Sequence, residues 1–179
     1  MEPFAERLRG HVVLDAVFYA ASAAAEHGAM WQVLSWSQWP RGRRSAAIRA
    51  SGGLALESLV VNGLLKSVTR RARPAPPTEH RFPLRRPVTS SFPSGHASAA
   101  AFAVVVLAES DPLWPLYLIG GIVVAWSRVH VRLHHPSDIL AGAVTGACLG
   151  AFARTLFPLR PPAPPEAGMD GAREGLEQP

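Results

Sequence analysis

Long stretches of this chain carry almost no charge, and dense arginine clusters lie between them. From Ala50 to Leu65 the only charge is Glu57, and Ala97 to Ala108, Pro112 to Ser127 and Ile139 to Ala153 have none. An earlier block, His11 to Trp39, is mostly apolar but holds Asp15, Glu26 and His27. The clean blocks run 12 to 16 residues, a little short of the roughly 17–25 of a membrane-spanning helix. Length alone therefore fits the buried helices of a soluble bundle equally well. Two features favour the membrane. The blocks are apolar all round rather than striped. They are also rich in Gly and Ala ("GGIVVAW", "AGAVTGACLGAFA"), with Gly142 and Gly146 at the four-residue spacing that lets membrane helices approach closely. The expected fold is all-α, a membrane-embedded bundle of about five helices. The first block reads either as one imperfect span or as an interfacial helix followed by a shorter buried one.

Charged residues make up 17% of the chain and the net charge is +5, a balance that suits anionic partners. The basic residues cluster beside apolar blocks without interleaved aromatics, so no nucleic-acid partner is expected. A single cysteine, Cys148, excludes an intrachain disulfide and reads as a small core residue. Trp31, Trp36 and Trp39 read as interfacial anchors. The opening "MEPFAERLRG" carries two acids and leads into no clean apolar region with a small-residue cleavage site, so no signal peptide is expected. The Pro/Arg-rich stretch 70–91 is too long for a plain connector. Residues 158–179, rich in Pro and Gly, read as a disordered tail behind a single domain at 1–157.

Three polar islands interrupt the apolar blocks. The first, "KSVTRRARP", ends the second block with Lys66 and Arg73; "PSGH" heads the third; "SRVHVRLHHPSD" joins the fourth to the fifth. A chain that runs back and forth through a layer brings all three to one face. Lys66, Arg73 and Arg128 would supply fixed cations there, and guanidinium groups suit bidentate contact with phosphate oxygens. Ser94 reads as a helix N-cap, leaving Gly95 and His96 to offer backbone N–H groups at the positive end of the helix. Two histidines on opposite sides of a phosphoryl group can act as nucleophile and general acid. His134 precedes Asp138 by four residues, and a carboxylate there can hold one ring nitrogen and aim the other.

These three islands resemble the signature motifs of the type 2 phosphatidic acid phosphatase (PAP2) superfamily, the lipid phosphate phosphatases related to the vanadium haloperoxidases. The matching residues are Lys66-x6-Arg73-Pro74, Pro93-Ser94-Gly95-His96 and Ser127-Arg128-x5-His134-x3-Asp138. With the surrounding helices the resemblance covers roughly residues 45–155. It implies a metal-independent phosphatase without cofactor, working through a phosphohistidine at the bacterial cell membrane. His134 would be the nucleophile, Asp138 its orienting partner and His96 the proton donor to the leaving alcohol. Lys66, Arg73, Ser94, Gly95 and Arg128 would bind phosphoryl oxygens. The implied partners are membrane lipids and a lipid phosphate substrate, with polyprenyl carriers favoured over phosphatidic acid.

Alternatives remain at this stage. The chain could be a soluble acid phosphatase or haloperoxidase of the same superfamily, or a non-catalytic lipid-phosphate-binding membrane protein. His130 and His134 are four apart, as zinc-binding histidines are, but no glutamate follows the first, so a metal site is not expected. His130 and His135 read as bystanders. Arg70, Arg71, Arg81, Arg85 and Arg86 read as a solvated or lipid-facing charge cluster, with head-group contact as the other option. Glu57, alone in an apolar block, reads as a functional residue or as a buried hydrogen-bond partner.

Overall fold

In the computed structural model residues 6–76 and 86–159 are described, and among them every regular element is helical. The helices are α1 Val12–Ala24, α2 Ala29–Trp36, α3 Arg44–Ser58, α4 Lys66–Thr69, α5 Gly95–Leu107, α6 Trp114–His130 and α7 Pro136–Leu156. The five apolar blocks thus become seven helices, because the first is broken and the second changes helix type along its length. The first is interrupted at Glu26–Gly28, where His27 (φ 53°) and Gly28 (φ 73°) turn left-handed. Of the two first-block alternatives, the broken one is what forms. In the second, a π-helical stretch at Leu59–Leu65 joins α3 to α4. It contains Asn62 and Gly63, both poor helix formers, and it resets the face that the last turn presents. Arg70, at φ 44°, ends α4.

The centre of the bundle is α5, which packs chiefly on α7 and then on α6 and α3. Its alanine-rich sequence leaves Ala97, Ala99, Ala100, Phe102, Ala103, Val106 and Leu107 buried. Its neighbour α7 runs parallel to it and offers glycine every fourth residue. A Cβ on Gly142 would collide with the Ser94 carbonyl, and one on Gly146 with the Ser98 carbonyl; on Gly150 it would lie 3.2 Å from the Phe102 carbonyl. The small-residue spacing therefore works as expected, and it fixes both helix N-termini at the same end of the bundle.

Two of the single-residue readings do not hold. Trp31 is no interfacial anchor but is fully buried in the core, unlike Trp36 and Trp39, which are exposed. Cys148 faces outward from α7 rather than into the core. Of the tail only residues 158 and 159 are described; Arg81 and Arg85 also lie outside the described residues.

Polar groups gather inside the bundle and apolar ones outside. Arg49, Glu57, Asp111, Arg128 and Asp138 are buried, whereas Leu56, Leu59, Leu64, Leu116, Ile119, Ile122, Leu140, Val144, Phe152 and Leu156 are 54–68% exposed. Among the described residues one helix, α7, is long and apolar enough to cross a membrane.

At the end opposite the three islands, Asp111 ties the α2 exit to the α5–α6 turn. Its Oδ2 accepts from Gln38 Nε2 and the Tyr117 hydroxyl, each at 2.6 Å, and Arg43 lies 3.4 Å away. Burial alone would raise this carboxyl. The bonds from Tyr117, the Leu113 amide and Gln38, with Arg43 nearby, outweigh burial and hold it below its ordinary 3.8. A carboxyl with a lowered folded pKa stabilises above its unfolded value, and that stability is lost as pH falls through the folded one. Asp111→Ala strands the buried donors of Gln38 and Tyr117 and should cost about 3 kcal/mol at neutral pH. Thermal unfolding in detergent at pH 7 and well below 3.8 measures both effects; the gap between the two proteins should narrow at the acid end as the ionisation-linked share is lost.

Candidate active site

The parallel packing of α5 on α7 delivers two positive helix ends to one place. At the head of α5 the Ser94 side chain accepts from the Ala97 amide, and the Ser94 amide donates to the Asp138 carbonyl at 3.0 Å. The second and third islands are therefore joined backbone to backbone. The first is pinned to the same edge: the Ser91 amide donates to Arg71 O at 2.9 Å and the Thr69 hydroxyl to Phe92 O at 2.6 Å.

His134 sits in the short turn between α6 and α7. Arg132 there adopts φ 53°, and the amides of Leu133 and His134 both donate to Arg128 O, at 3.0 and 3.1 Å. The buried Leu133 side chain anchors the turn. The imidazole is 3% exposed, with Nδ1 3.6 Å from Asp138 Oδ2 and Nε2 3.3 Å from Arg73 NH1. Burial pushes His134 down to about 4; the Asp138 carboxylate opposes that shift, and Arg128, Arg73 and Lys66 add to it. The ring is accordingly neutral at physiological pH, with a lone pair available on the nitrogen that faces the arginine.

Asp138 is fully buried. Its Oδ2 accepts from the His135 amide at 2.8 Å and its Oδ1 from Arg71 NH1 at 2.7 Å. Arg71 also donates to Ser137 Oγ at 2.8 Å. The sequence reading placed Arg71 in a solvated or lipid-facing cluster, whereas it is the cation that holds the Asp138 carboxylate. No spacing rule signals this, because the loop carrying Arg71 is set against α7 only by the fold.

Lys66, Arg73, Gly95, His96, Arg128 and His134 line one cavity of about 740 Å³. Six of the eight residues singled out from sequence thus converge on it. Asp138 stands behind His134. Ser94 does not line the cavity; it is fully buried and its hydroxyl serves as a helix cap. Arg73 is positioned by three backbone carbonyls, those of Leu133 (2.8 Å), Pro87 (3.1 Å) and Ser90 (3.3 Å). Arg128 bonds the Ser22 hydroxyl, and its Nε has no partner among the described residues. Lys66 Nζ donates to Asn62 Oδ1 at 2.7 Å. Asn62 also covers Gly95, where a Cβ would come within 2.6 Å of Oδ1. His96 Nε2 has no partner among the described residues. His130 belongs elsewhere: its Nε2 pairs with Asp15 at 2.7 Å and its ring packs on Phe18 at 4.6 Å, tying α1 to α6.

Lys66, Arg73 and Arg128, a neutral histidine backed by a buried carboxylate and a second histidine thus meet at one cavity in an α-helical bundle. Residues 46–162 match the PAP2 superfamily, and the chain belongs to that family and is a hydrolase of the phosphatase class. It is 31% identical over 130 residues to decaprenylphosphoryl-5-phosphoribose phosphatase of Mycobacterium tuberculosis, covering 71% of each chain. With undecaprenyl-diphosphatase BcrC of Bacillus subtilis it shares 32% identity over 115 residues, 62% of this chain and 58% of that one. Among solved structures, the first transmembrane PAP2-type phosphatidylglycerolphosphate phosphatase from Bacillus subtilis aligns with a TM-score of 0.47 and 21% identity, covering 85% of this chain and 89% of that one.

Proposed function

We propose that this protein is an integral membrane phosphatase that hydrolyses a phosphomonoester or pyrophosphate of a polyprenyl-type lipid through a phosphohistidine. The observation that carries the reading is the pair of distances at His134: Asp138 on the Nδ1 side, and Arg73 3.3 Å from Nε2 at the mouth of the cavity. In the first step the Nε2 lone pair attacks phosphorus. The bond from phosphorus to the leaving oxygen breaks, and His96 gives that oxygen its proton. In the second step His96 takes a proton from water as the water oxygen attacks phosphorus. The P–N bond breaks and inorganic phosphate leaves. Lys66, Arg73 and Arg128 offset the charge that builds on the phosphoryl oxygens, with the Gly95 backbone beside them. Ser94 contributes by holding the α5 N-terminus in place.

Membrane residence is supported by the outward-facing leucines, isoleucines and valines of α3, α6 and α7 around a polar interior. Soluble monomers rarely expose large contiguous apolar patches. A lipid substrate is supported by the cavity itself, which Leu54, Ala55 and Leu59 line on the α3 side. The two named relatives are bacterial and carry polyprenyl substrates in their names, which supports both that lipid class and a bacterial membrane.

The test is phosphate release by the purified protein in detergent from polyprenyl monophosphate, polyprenyl diphosphate and phosphatidic acid. A protein that extracts into the aqueous phase without detergent, or that releases no phosphate from any of them, would overturn the proposal. The pH profile adds a sharper expectation. A nucleophile must be unprotonated, and His134 loses its proton near 4. The acid limb of kcat/KM should therefore fall near pH 4, well below the ordinary imidazole value of about 6.5.

A further inference from the structure

One buried ionisable group in the cavity is not used by this chemistry. Glu57 is 2% exposed, lines the cavity, and its Oε1 has no hydrogen-bond partner among the described residues. It lies beside Ser98, two residues beyond His96 on α5. On α3 it precedes Lys66 by nine residues, which places its backbone about two turns of helix back from that lysine. The cavity thus has two ends of opposite character. Lys66, Arg73 and Arg128 gather at one. Toward the other the polar lining includes Glu57, Gln32 and Ser58, with no lysine or arginine beside them in the lining among the described residues. The volume of about 740 Å³ leaves ample room beyond a phosphoryl group.

We infer that Glu57 determines specificity by hydrogen-bonding a hydroxyl of the leaving group, so that the substrate is a lipid phosphomonoester whose phosphate is carried on a neutral, polyhydroxylated moiety such as a sugar. The inference rests on the phosphatase reading above and narrows it. In that reading the phosphorus lies between His134 and His96, so the leaving group extends past His96 toward Ser98 and Glu57. Ser98 is the polar neighbour of this carboxyl on α5; a buried carboxyl oxygen left unbonded is costly, and a sugar hydroxyl supplies the bond that Oε1 lacks. The second phosphate of a diphosphate would instead meet a carboxyl, with Lys66 the one cation among the described residues whose charge reaches it. A plain alkyl chain would leave Glu57 Oε1 unpartnered.

Three amphiphilic probes separate these cases in detergent micelles: octyl β-glucoside 6-phosphate, dodecyl phosphate and farnesyl diphosphate. The wild-type protein should show a kcat/KM for the glucoside phosphate about tenfold or more above the other two, since sites built to bond a hydroxyl reject analogues lacking it. Glu57→Leu should erase that ratio. Glu57→Gln, which keeps the shape and part of the hydrogen bonding, should retain some preference for the glucoside over dodecyl phosphate while improving farnesyl diphosphate relative to both. A merely structural role would lower all three rates together and leave the ratios unchanged, and that result overturns the inference. So does a wild-type protein that prefers dodecyl phosphate or farnesyl diphosphate. Hydrolysis of none of the three by the wild-type protein overturns the phosphatase reading itself, and the specificity inference with it.

Discussion

Replacing His134 with alanine should lower phosphate release by ~10⁴-fold or more, the scale of loss when a covalent nucleophile is removed, on every lipid phosphate the wild-type protein hydrolyses. No neighbouring side chain can substitute. His130 is bound to Asp15 and packed on Phe18, on the α1 side of α6. His96 approaches the cavity from the head of α5 and lacks a carboxylate partner among the described residues, whereas His134 has Asp138 behind it. The backbone of the turn is held independently of the imidazole, by the Arg128 carbonyl and by Arg73 on the Leu133 carbonyl. The alanine variant should therefore fold, and its thermal midpoint should stay close to that of the wild type. Rapid quench into alkaline SDS with radiolabelled substrate offers a second readout: a base-stable, acid-labile phosphoprotein in the wild type and none in the variant. Undiminished turnover by the alanine variant would exclude His134 as the nucleophile.

Much of this site was legible because its residues are addressed by local rules. Ser94 before an alanine-rich run reads as a cap, and it is one. The order of apolar blocks alone brings the three islands to one face, and six of the eight expected residues line the shared cavity. The parts that escaped are those that only tertiary packing specifies. Arg71 sits among several arginines of similar sequence character, and what distinguishes it is the approach of its loop to α7. Asn62 was invisible as the partner of Lys66 until the π-helical turn fixed which face α4 presents. Trp31 differs from Trp36 and Trp39 because the break at Glu26–Gly28 turns α2 and sends its first aromatic into the core. The all-α class holds and the helix count differs slightly for the same reason, since two left-handed residues and a stretch of wider turn leave no signature in hydropathy.

The second large effect is expected at a residue that touches no substrate. Gly146→Val should destabilise the bundle by ~3 kcal/mol or more and reduce turnover by about 100-fold. The added Cβ would be driven into the Ser98 carbonyl, which is helix backbone and has no rotamer to yield. Relief requires α5 and α7 to separate, and those two helices carry both halves of the site: Gly95 and His96 on one, Asp138 on the other, with His134 just before it. A displacement of about 1 Å between catalytic groups is enough for a loss of that order. Gly142→Val should behave similarly, because its Cβ would meet the Ser94 carbonyl beside the bond that joins Ser94 to Asp138. The control is Gly120→Ala on α6, where nothing lies within 4 Å of the added carbon. There alanine should be neutral or stabilising by up to about 1 kcal/mol, the usual gain in a helix. If Gly146→Val retained both thermal midpoint and turnover, close backbone packing of α5 on α7 would not be what positions the histidines.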